Sequence, residues 1–109
     1  MNPAPSLILF VCLANQCRSP MAEGLFRDLL SRRGDEHLNF QVESAGTWSG
    51  ASGMPASSGT LRALESRGIL LPAHTSRPVD ADLLARASLV LVMEEYQKKR
   101  LCRDYPQFC

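Results

Sequence analysis

The chain has 109 residues, 21% of them charged and 45% apolar, with a formal net charge of +1. That is the size of one domain, with roughly 65% of the unfolded surface available for burial in a core that needs no staples. Near-zero charge leaves no electrostatic footprint for nucleic acid or an anionic membrane, and no apolar run approaches the roughly 20 residues of a membrane span. The first fourteen residues hold an apolar stretch with no Lys or Arg ahead of it and no break before Cys12, so they do not read as a signal peptide. Cysteines at 12, 17, 102 and 109 match no zinc-ligand spacing. The expectation is a cytoplasmic protein with a reactive thiol and no structural disulfide.

The unbroken run Leu7-Ile8-Leu9-Phe10-Val11 predicts a strand buried on both faces. A tight loop over 12–18 follows, and then an amphipathic helix over 19–33. Met21, Leu25 and Leu29 form one i, i+4 row and Ala22, Phe26 and Leu30 the next, with Glu23, Arg27, Asp28, Arg32 and Arg33 on the solvent side. Pro20 suits the first turn and Gly34 the stop. Phe40-Gln41-Val42-Glu43 alternates, predicting a short strand nearer an edge that turns at 44–47. Residues 48–58, rich in Gly, Ser, Ala and Pro, read as a loop without a core of its own. A helix over 57–67, with Leu61 and Leu64 inward and Gly68 as its stop, leads to a buried connector, Ile69-Leu70-Leu71-Pro72. Asp80 caps a two-turn helix carrying Leu83 and Leu84. Leu89-Val90-Leu91-Val92-Met93 predicts a central parallel strand, and 94–103 a helix acidic at its start and basic at its end. Strands alternating with helices give the α/β class, with a sheet thin for its kind.

Residues 12–18 thus leave the carboxyl end of a parallel strand, where ligands bind in such sheets. A cysteine attacks only as thiolate, and a helix N-terminus with a nearby arginine lowers its pKa. Backbone N–H groups of the loop form a nest for phosphate oxygens, and Arg18 can grip two of them bidentately. The phosphorus would then sit above the Cys12 sulfur, in line for attack, with the Ser19 hydroxyl donating to the thiolate. Taken singly, a cysteine after a buried strand is a small core hydrophobe, and an arginine at a helix start is solvated. The joint pattern, Cys12, five residues, then Arg18-Ser19-Pro20, is what points to chemistry on a phosphate ester. Neither Gly-Lys-[Ser/Thr] nor Gly-x-Gly is present, which excludes the Walker and dinucleotide loops.

Val11-Cys12-Leu13-Ala14-Asn15-Gln16-Cys17-Arg18-Ser19-Pro20-Met21-Ala22-Glu23 resembles the signature of the low-molecular-weight protein tyrosine phosphatases. Glu43-Ser44-Ala45-Gly46-Thr47, His74-Thr75-Ser76-Arg77 and the apolar run 89–93 are similar to further landmarks of that family, so the resemblance spans nearly the whole chain. It implies a three-layer, flavodoxin-like parallel sheet of strand order 2-1-3-4, and a cysteinyl-phosphate mechanism on phosphorylated proteins without metal or cofactor. By the same resemblance Cys12 is the nucleophile and Arg18 the clamp and transition-state stabiliser. Leu13, Ala14, Asn15, Gln16 and Cys17 complete the cradle for phosphate or another oxyanion. Asn15 holds the loop in shape, Ser19 tunes the thiolate, and Ser44 and His74 brace Asn15. Cys17 is the redox partner that traps oxidised Cys12 as a disulfide, and Trp48 is an aromatic wall of the cleft.

Two features depart from the family pattern. Ala14 stands where the family usually has Gly, a strain on the order of 1–3 kcal/mol if that position has positive φ. The family's general acid is an aspartate in an Asp-Pro loop beyond the third strand, followed by a fourth strand and a last helix. No Asp-Pro dipeptide occurs here, and Asp104, in Asp104-Tyr105-Pro106, reads as a surface aspartate. A C-terminally short family member is expected, without the general acid, the fourth strand and the last helix, and with self-association through the uncompleted sheet. General acid catalysis is worth about 10²–10⁴-fold, so poor leaving groups would depart slowly. Phosphotyrosine is the expected substrate. Phosphoarginine stays open, because protein arginine phosphatases are similar after Ser44 but carry Thr where this chain has Gln16. A thiol-dependent arsenate reductase would relay electrons through Cys102 and Cys109, but the position of the first relay cysteine is Glu94. A non-catalytic phosphate-binding module is the remaining class.

Overall fold

The computed structural model describes residues 6–33, 39–71 and 73–109. Its centre is β1 (Ser6–Cys12), whose apolar residues face both sides of a parallel sheet of order β2-β1-β3, with β2 at Phe40–Gly46 and β3 at Ala87–Val92. In register, Phe10 lies opposite Ser44 and Leu91, and Val11 opposite Ala45 and Val92. Because side chains alternate along a strand, β1 feeds two cores. Ile8 and Phe10 point to the face covered by α1 (Arg18–Arg33), where they meet Val42, Ala22, Phe26 and Leu30. Leu7, Leu9 and Val11 point to the opposite face, where Val79, Leu83, Leu84 and Leu101 close the layer. Leu83 and Leu84 belong to α3 (Ala81–Arg86) and Leu101 to α4 (Glu95–Asp104), while α2 (Ser58–Glu65) packs against α1 at Gly24. The three-layer, flavodoxin-like α/β architecture agrees with expectation, and no fourth strand lies among the described residues.

Several local expectations are corrected. The second strand does not turn at Ser44 but continues through Gly46, because small residues there let β2 run tight against the loop after β1. A Cβ at Gly46 would fall 2.5 Å from the Leu13 carbonyl oxygen. The row Met21, Leu25 and Leu29 is not buried with its neighbour row: Leu25 and Leu29 are exposed, and Glu23, expected on the solvent side, is buried instead. The helix is rolled toward β2 because the Glu23 carboxylate and the Arg27 guanidinium find polar partners there, at Ser44 Oγ and the Val42 carbonyl. Leu61 is exposed while Leu64 is buried, since a helix of eight residues presents only one narrow face. Among the described residues of the connector only Ile69 is buried, and Leu70 is exposed. The run 89–92 ends β3, which pairs parallel with β1 and is the outer strand among the described residues, with Leu89 and Leu91 open. Asp80 caps α3 as expected, its Oδ1 accepting from the Leu83 N–H at 2.8 Å. The expected helix stop at Gly34 and the connector proline Pro72 lie outside the described residues.

Cys102 and Cys109 are joined by a disulfide across the end of α4 and a closing 3-10 turn, Pro106–Phe108. This overturns the expectation of no structural disulfide. That expectation weighed compartment and chain size, whereas the turn brings the two Cα atoms to 5.0 Å, within ordinary disulfide reach. No helix among the described residues is long and apolar enough to cross a membrane.

Candidate active site

The loop 12–17 leaves the carboxyl end of β1 and runs straight into the N-terminus of α1. Its backbone is fastened on both sides: the Cys12 and Leu13 carbonyls accept from Thr47 and Trp48 N–H at 2.9 and 3.0 Å, and the Gln16 carbonyl from Ser57 N–H at 2.7 Å. The Cys17 carbonyl accepts from the Thr60 hydroxyl at 3.1 Å. At the hinge of the loop Asn15 has φ +57° and is fully buried, the one non-glycine with positive φ among the described residues. Asparagine tolerates that conformation better than most residues. Ala14, expected as the strained position, has no positive φ and therefore no such strain.

The Asn15 side chain organises the polar core beneath the loop. Its amide nitrogen can only donate, and it reaches Ser19 Oγ at 2.8 Å and Ser44 Oγ at 2.9 Å. Its amide oxygen accepts from the Arg77 backbone N–H at 3.0 Å, and its backbone carbonyl accepts from His74 Nε2 at 2.8 Å. The carbonyl has no hydrogen to give, so His74 carries its proton on Nε2 in this contact. These donors fix the direction of the Ser44 hydrogen. Ser44, accepting from Asn15, donates to Glu23 Oε1 at 2.6 Å, and Glu23 Oε2 is paired with Arg27 at 2.8 Å. Ser19, also accepting from Asn15, has its own hydrogen within reach of two acceptors, Cys12 Sγ at 3.0 Å and the Ala45 carbonyl at 3.5 Å. Burial pushes the Cys12 thiol upward, but the Ser19 hydroxyl and the backbone N–H groups of Ser19, Asn15 and Ala14 outweigh it and hold the thiol below its ordinary value. No buried side-chain nitrogen or oxygen among the described residues lacks a partner.

The other expected residues take up definite places. Cys12 is buried and Cys17 exposed, and both are free thiols. The Arg18 side chain, half exposed at the first turn of α1, pairs with Glu94. That carboxylate, more than anything else, raises the Arg18 pKa above its ordinary value and keeps the guanidinium charged. Leu13 is exposed at the rim. Trp48 is half exposed, with its ring folded against Gly50, where a Cβ would come within 2.5 Å of it. Asp104, read as a surface aspartate, pairs at the end of α4 with Arg100 at 2.9 Å and Arg103 at 3.3 Å.

Four residues of this site carry no role in the sequence reading. Glu23 was assigned to solvent by helical periodicity alone. Arg77 lies in a recognised landmark run, yet its guanidinium reaches the Ser44 carbonyl at 3.1 Å and pairs with Glu43, which a sequence cannot show. Glu94 caps α4, and the fully buried Gln97 holds it in place, its Oε1 accepting from the N–H groups of Met93 and Glu94 at 2.9 Å each. The available signal for Glu94 was its position after β3, at the carboxyl end of the sheet where ligands bind.

Comparisons with known proteins bear on the family. The family model for low molecular weight phosphotyrosine protein phosphatase matches residues 7–108. The chain is 38% identical over 101 residues to a protein-arginine-phosphatase of Bacillus subtilis, covering 93% of this chain and 64% of that protein. It is 35% identical over 99 residues to the low molecular weight protein-tyrosine-phosphatase Ptp of Acinetobacter johnsonii, covering 91% and 64% respectively. Among solved structures, YfkJ from Bacillus subtilis superposes with a TM-score of 0.90 at 32% identity, over 98% of this chain and 67% of that one. The chain thus spans 64% of the length of these two curated relatives. On the family model and the relatives together, the chain belongs to the low molecular weight phosphotyrosine protein phosphatase family.

Proposed function

We propose that the chain hydrolyses phosphate monoesters on phosphorylated proteins, with phosphotyrosine the substrate, through a cysteinyl-phosphate intermediate. The observation that carries this reading is the Cys12 sulfur, held at 3.0 Å from a Ser19 hydroxyl that lies closer to it than to its other acceptor, the Ala45 carbonyl at 3.5 Å, and so can donate to a thiolate. The phosphoryl group sits in the loop with its oxygens on the backbone N–H groups and the Arg18 guanidinium, which also meets the charge that grows on them in the transition state. Cys12 Sγ attacks phosphorus, the S–P bond forms, and the P–O bond to the tyrosine oxygen breaks. Water then attacks phosphorus, the S–P bond breaks, and phosphate leaves while Ser19 stabilises the departing thiolate. No Asp-Pro dipeptide is present in the sequence. A phenol leaves more readily than an alkyl alcohol, so the tyrosine ester is the one the Cys12 thiolate displaces most easily. Leu13 and Trp48 form the walls that meet the aromatic ring. Cys17 captures Cys12 as a disulfide when the nucleophile is oxidised to the sulfenic acid, with loss of water. A reducing, cytoplasmic setting keeps both thiols available.

Phosphoarginine is the second reading, favoured by the 38% identity to the protein-arginine-phosphatase of Bacillus subtilis. Phosphate release is measured from para-nitrophenyl phosphate, a phosphotyrosine peptide and a phosphoarginine peptide, using the wild type and Cys12→Ser. Turnover of the first two by the wild type alone is the expected result. Preference for the phosphoarginine peptide replaces the substrate but keeps the mechanism. Absence of turnover on para-nitrophenyl phosphate, whose leaving group needs no acid, overturns the enzymatic reading and leaves a phosphate-binding module.

A further inference from the structure

Asn15 is held from both ends of its side-chain amide. The nitrogen donates to Ser19 Oγ at 2.8 Å and to Ser44 Oγ at 2.9 Å, and the oxygen accepts from the Arg77 N–H at 3.0 Å. The amide keeps its direction while Ser44 and residue 77 stay a fixed distance apart. One bond joins those two residues directly: Arg77 Nε donates to the Ser44 carbonyl at 3.1 Å. The same guanidinium pairs through Nη2 with the Glu43 carboxylate, whose second oxygen is reached by Arg86 at 3.4 Å. A planar fork spans a carbonyl and a neighbouring carboxylate at once, which a single ammonium does not.

The bond is one of three along the side of β2 that faces away from β1. The carbonyls of Val42, Ser44 and Gly46 lie two residues apart and so leave the strand on the same side. They accept from the Arg27 guanidinium at 2.9 Å, from Arg77 Nε at 3.1 Å and from the Val79 N–H at 2.8 Å. Two guanidiniums thus continue what the backbone of the segment 77–79 begins. Arg27 also pairs with Glu23, which accepts from the Ser44 hydroxyl at 2.6 Å. Ser44 is therefore held at its carbonyl by Arg77 and at its hydroxyl by Glu23. A cavity of about 310 Å³ opens beside both arginines, and their side chains are 44% and 40% exposed. Neither fills a core, and ion pairs that open to solvent add little to stability. We infer that Arg77 is a positioning residue for the nucleophile: its guanidinium ties Ser44 to residue 77, fixes the separation of the two groups that hold the Asn15 amide, and so seats the Ser19 hydroxyl beneath Cys12 Sγ. The role rests on the proposed use of Cys12 as a thiolate in an oxyanion cradle.

Alkylation of Cys12 by iodoacetamide, followed against pH in the 109-residue chain by peptide-resolved mass spectrometry, tests the role. Arg77→Met removes the guanidinium and keeps the N–H from which Asn15 accepts. Its rate should begin to fall at higher pH than that of the wild type. At neutral pH the rate should be roughly two- to fivefold lower, the size of a coupling passed through intermediate side chains. Arg77→Lys keeps the charge without the fork and should resemble Arg77→Met. In the Asn15→Gly background Arg77→Met should add no further shift, because the amide through which it acts is gone. Leu7→Val trims the buried core at the far end of β1 and costs stability without touching the tie, so its pH profile should match the wild type. A profile unmoved in Arg77→Met, one restored by Arg77→Lys, equal shifts with and without the Asn15 side chain, or an equal shift in Leu7→Val would each overturn the inference. Protection of wild-type Cys12 by inorganic phosphate tests the cradle separately. Its absence would strike the cradle while leaving the Arg77 profile readable.

Discussion

Beneath the loop at the carboxyl end of β1, polar side chains are buried and each is paired. Asn15, Ser19, Ser44 and Glu23 are nearly inaccessible and form one hydrogen-bonded chain that ends on the Cys12 sulfur. At the outer edge of β3 the assignment is reversed: leucines are open to solvent. The first region spends polar groups on holding one backbone shape, which is costly unless every donor and acceptor is met. The second leaves apolar surface uncovered and holds nothing in place. A fixed oxyanion cradle needs the first kind of construction. The sheet carries both because β1 is central and β3 is at an edge.

The contrast predicts unequal responses to truncation. Asn15→Ala removes the partner of the Ser19 and Ser44 hydroxyls and of the Arg77 N–H, and puts a Cβ without a compensating amide at φ +57°. A loss of about 3 kcal/mol in unfolding free energy is expected, since each unsatisfied buried group costs about 1–3 kcal/mol and offsets between them are incomplete. Asn15→Gly keeps the backbone conformation and loses the same hydrogen bonds, so the difference between the two variants reads the strain, about 1 kcal/mol. Leu29→Ala, measured by denaturant unfolding, should stay within about 0.5 kcal/mol of wild type. Equal losses at Asn15 and Leu29 would break the distinction between the two regions.

Much of the cradle was legible because its chemistry is local. Cys12, Arg18 and Ser19 lie within eight residues between a buried strand and a helix start, and a spacing pattern captures that. The fold class followed from the alternation of apolar runs and amphipathic stretches. What periodicity missed has a common cause: it measures apolar content and not what lies opposite. Glu23 sits among the charged residues of α1, yet Ser44 draws it inward from a strand 21 positions away. Glu94 meets Arg18 across 76 positions. Leu25 and Leu29 belong to an apolar row, yet the roll of α1 toward β2 leaves them out. The Cys102–Cys109 bond depended on a turn at Pro106 that no cysteine count reveals.

Glycines sharpen the comparison with an effect of opposite sign at two sites. A Cβ at Gly46 meets the Leu13 carbonyl oxygen at 2.5 Å, the Ala51 Cβ at 3.0 Å and the Ala14 carbonyl carbon at 3.2 Å, two of which are backbone of the loop and cannot swing aside. Gly46→Ala should cost roughly 1–3 kcal/mol and weaken binding of inorganic phosphate, because relief comes only by moving the loop. At Gly59, in the first turn of α2, nothing lies within 4 Å and φ is not positive. Gly59→Ala should stabilise by up to about 1 kcal/mol and leave phosphate binding unchanged. Calorimetry with and without phosphate separates the two, and a stabilising Gly46→Ala would show that the loop is less tightly fixed than its contacts imply.

The smallest effect concerns one hydrogen. Ser19→Ala removes the side-chain donor to Cys12 and leaves the backbone donors and the burial that opposes them. The thiol pKa should therefore rise from its lowered value, and the sign fixes what is seen. Folded wild-type Cys12 holds its proton more weakly than the unfolded chain does. Its contribution to stability is present above the ordinary thiol range and is lost as pH falls through the folded value. Alkylation of Cys12 by iodoacetamide should fall along the same limb, and in Ser19→Ala the fall should begin at higher pH. At neutral pH the rate should drop roughly three- to tenfold, since a hydrogen bond to a charged group is worth about 1.5 kcal/mol and a more basic thiolate is intrinsically more nucleophilic. Peptide-resolved mass spectrometry gives the Cys12 rate apart from that of the exposed Cys17. An unchanged limb would mean that the backbone N–H groups alone hold the thiolate and that the Asn15–Ser19 branch serves only to shape the loop.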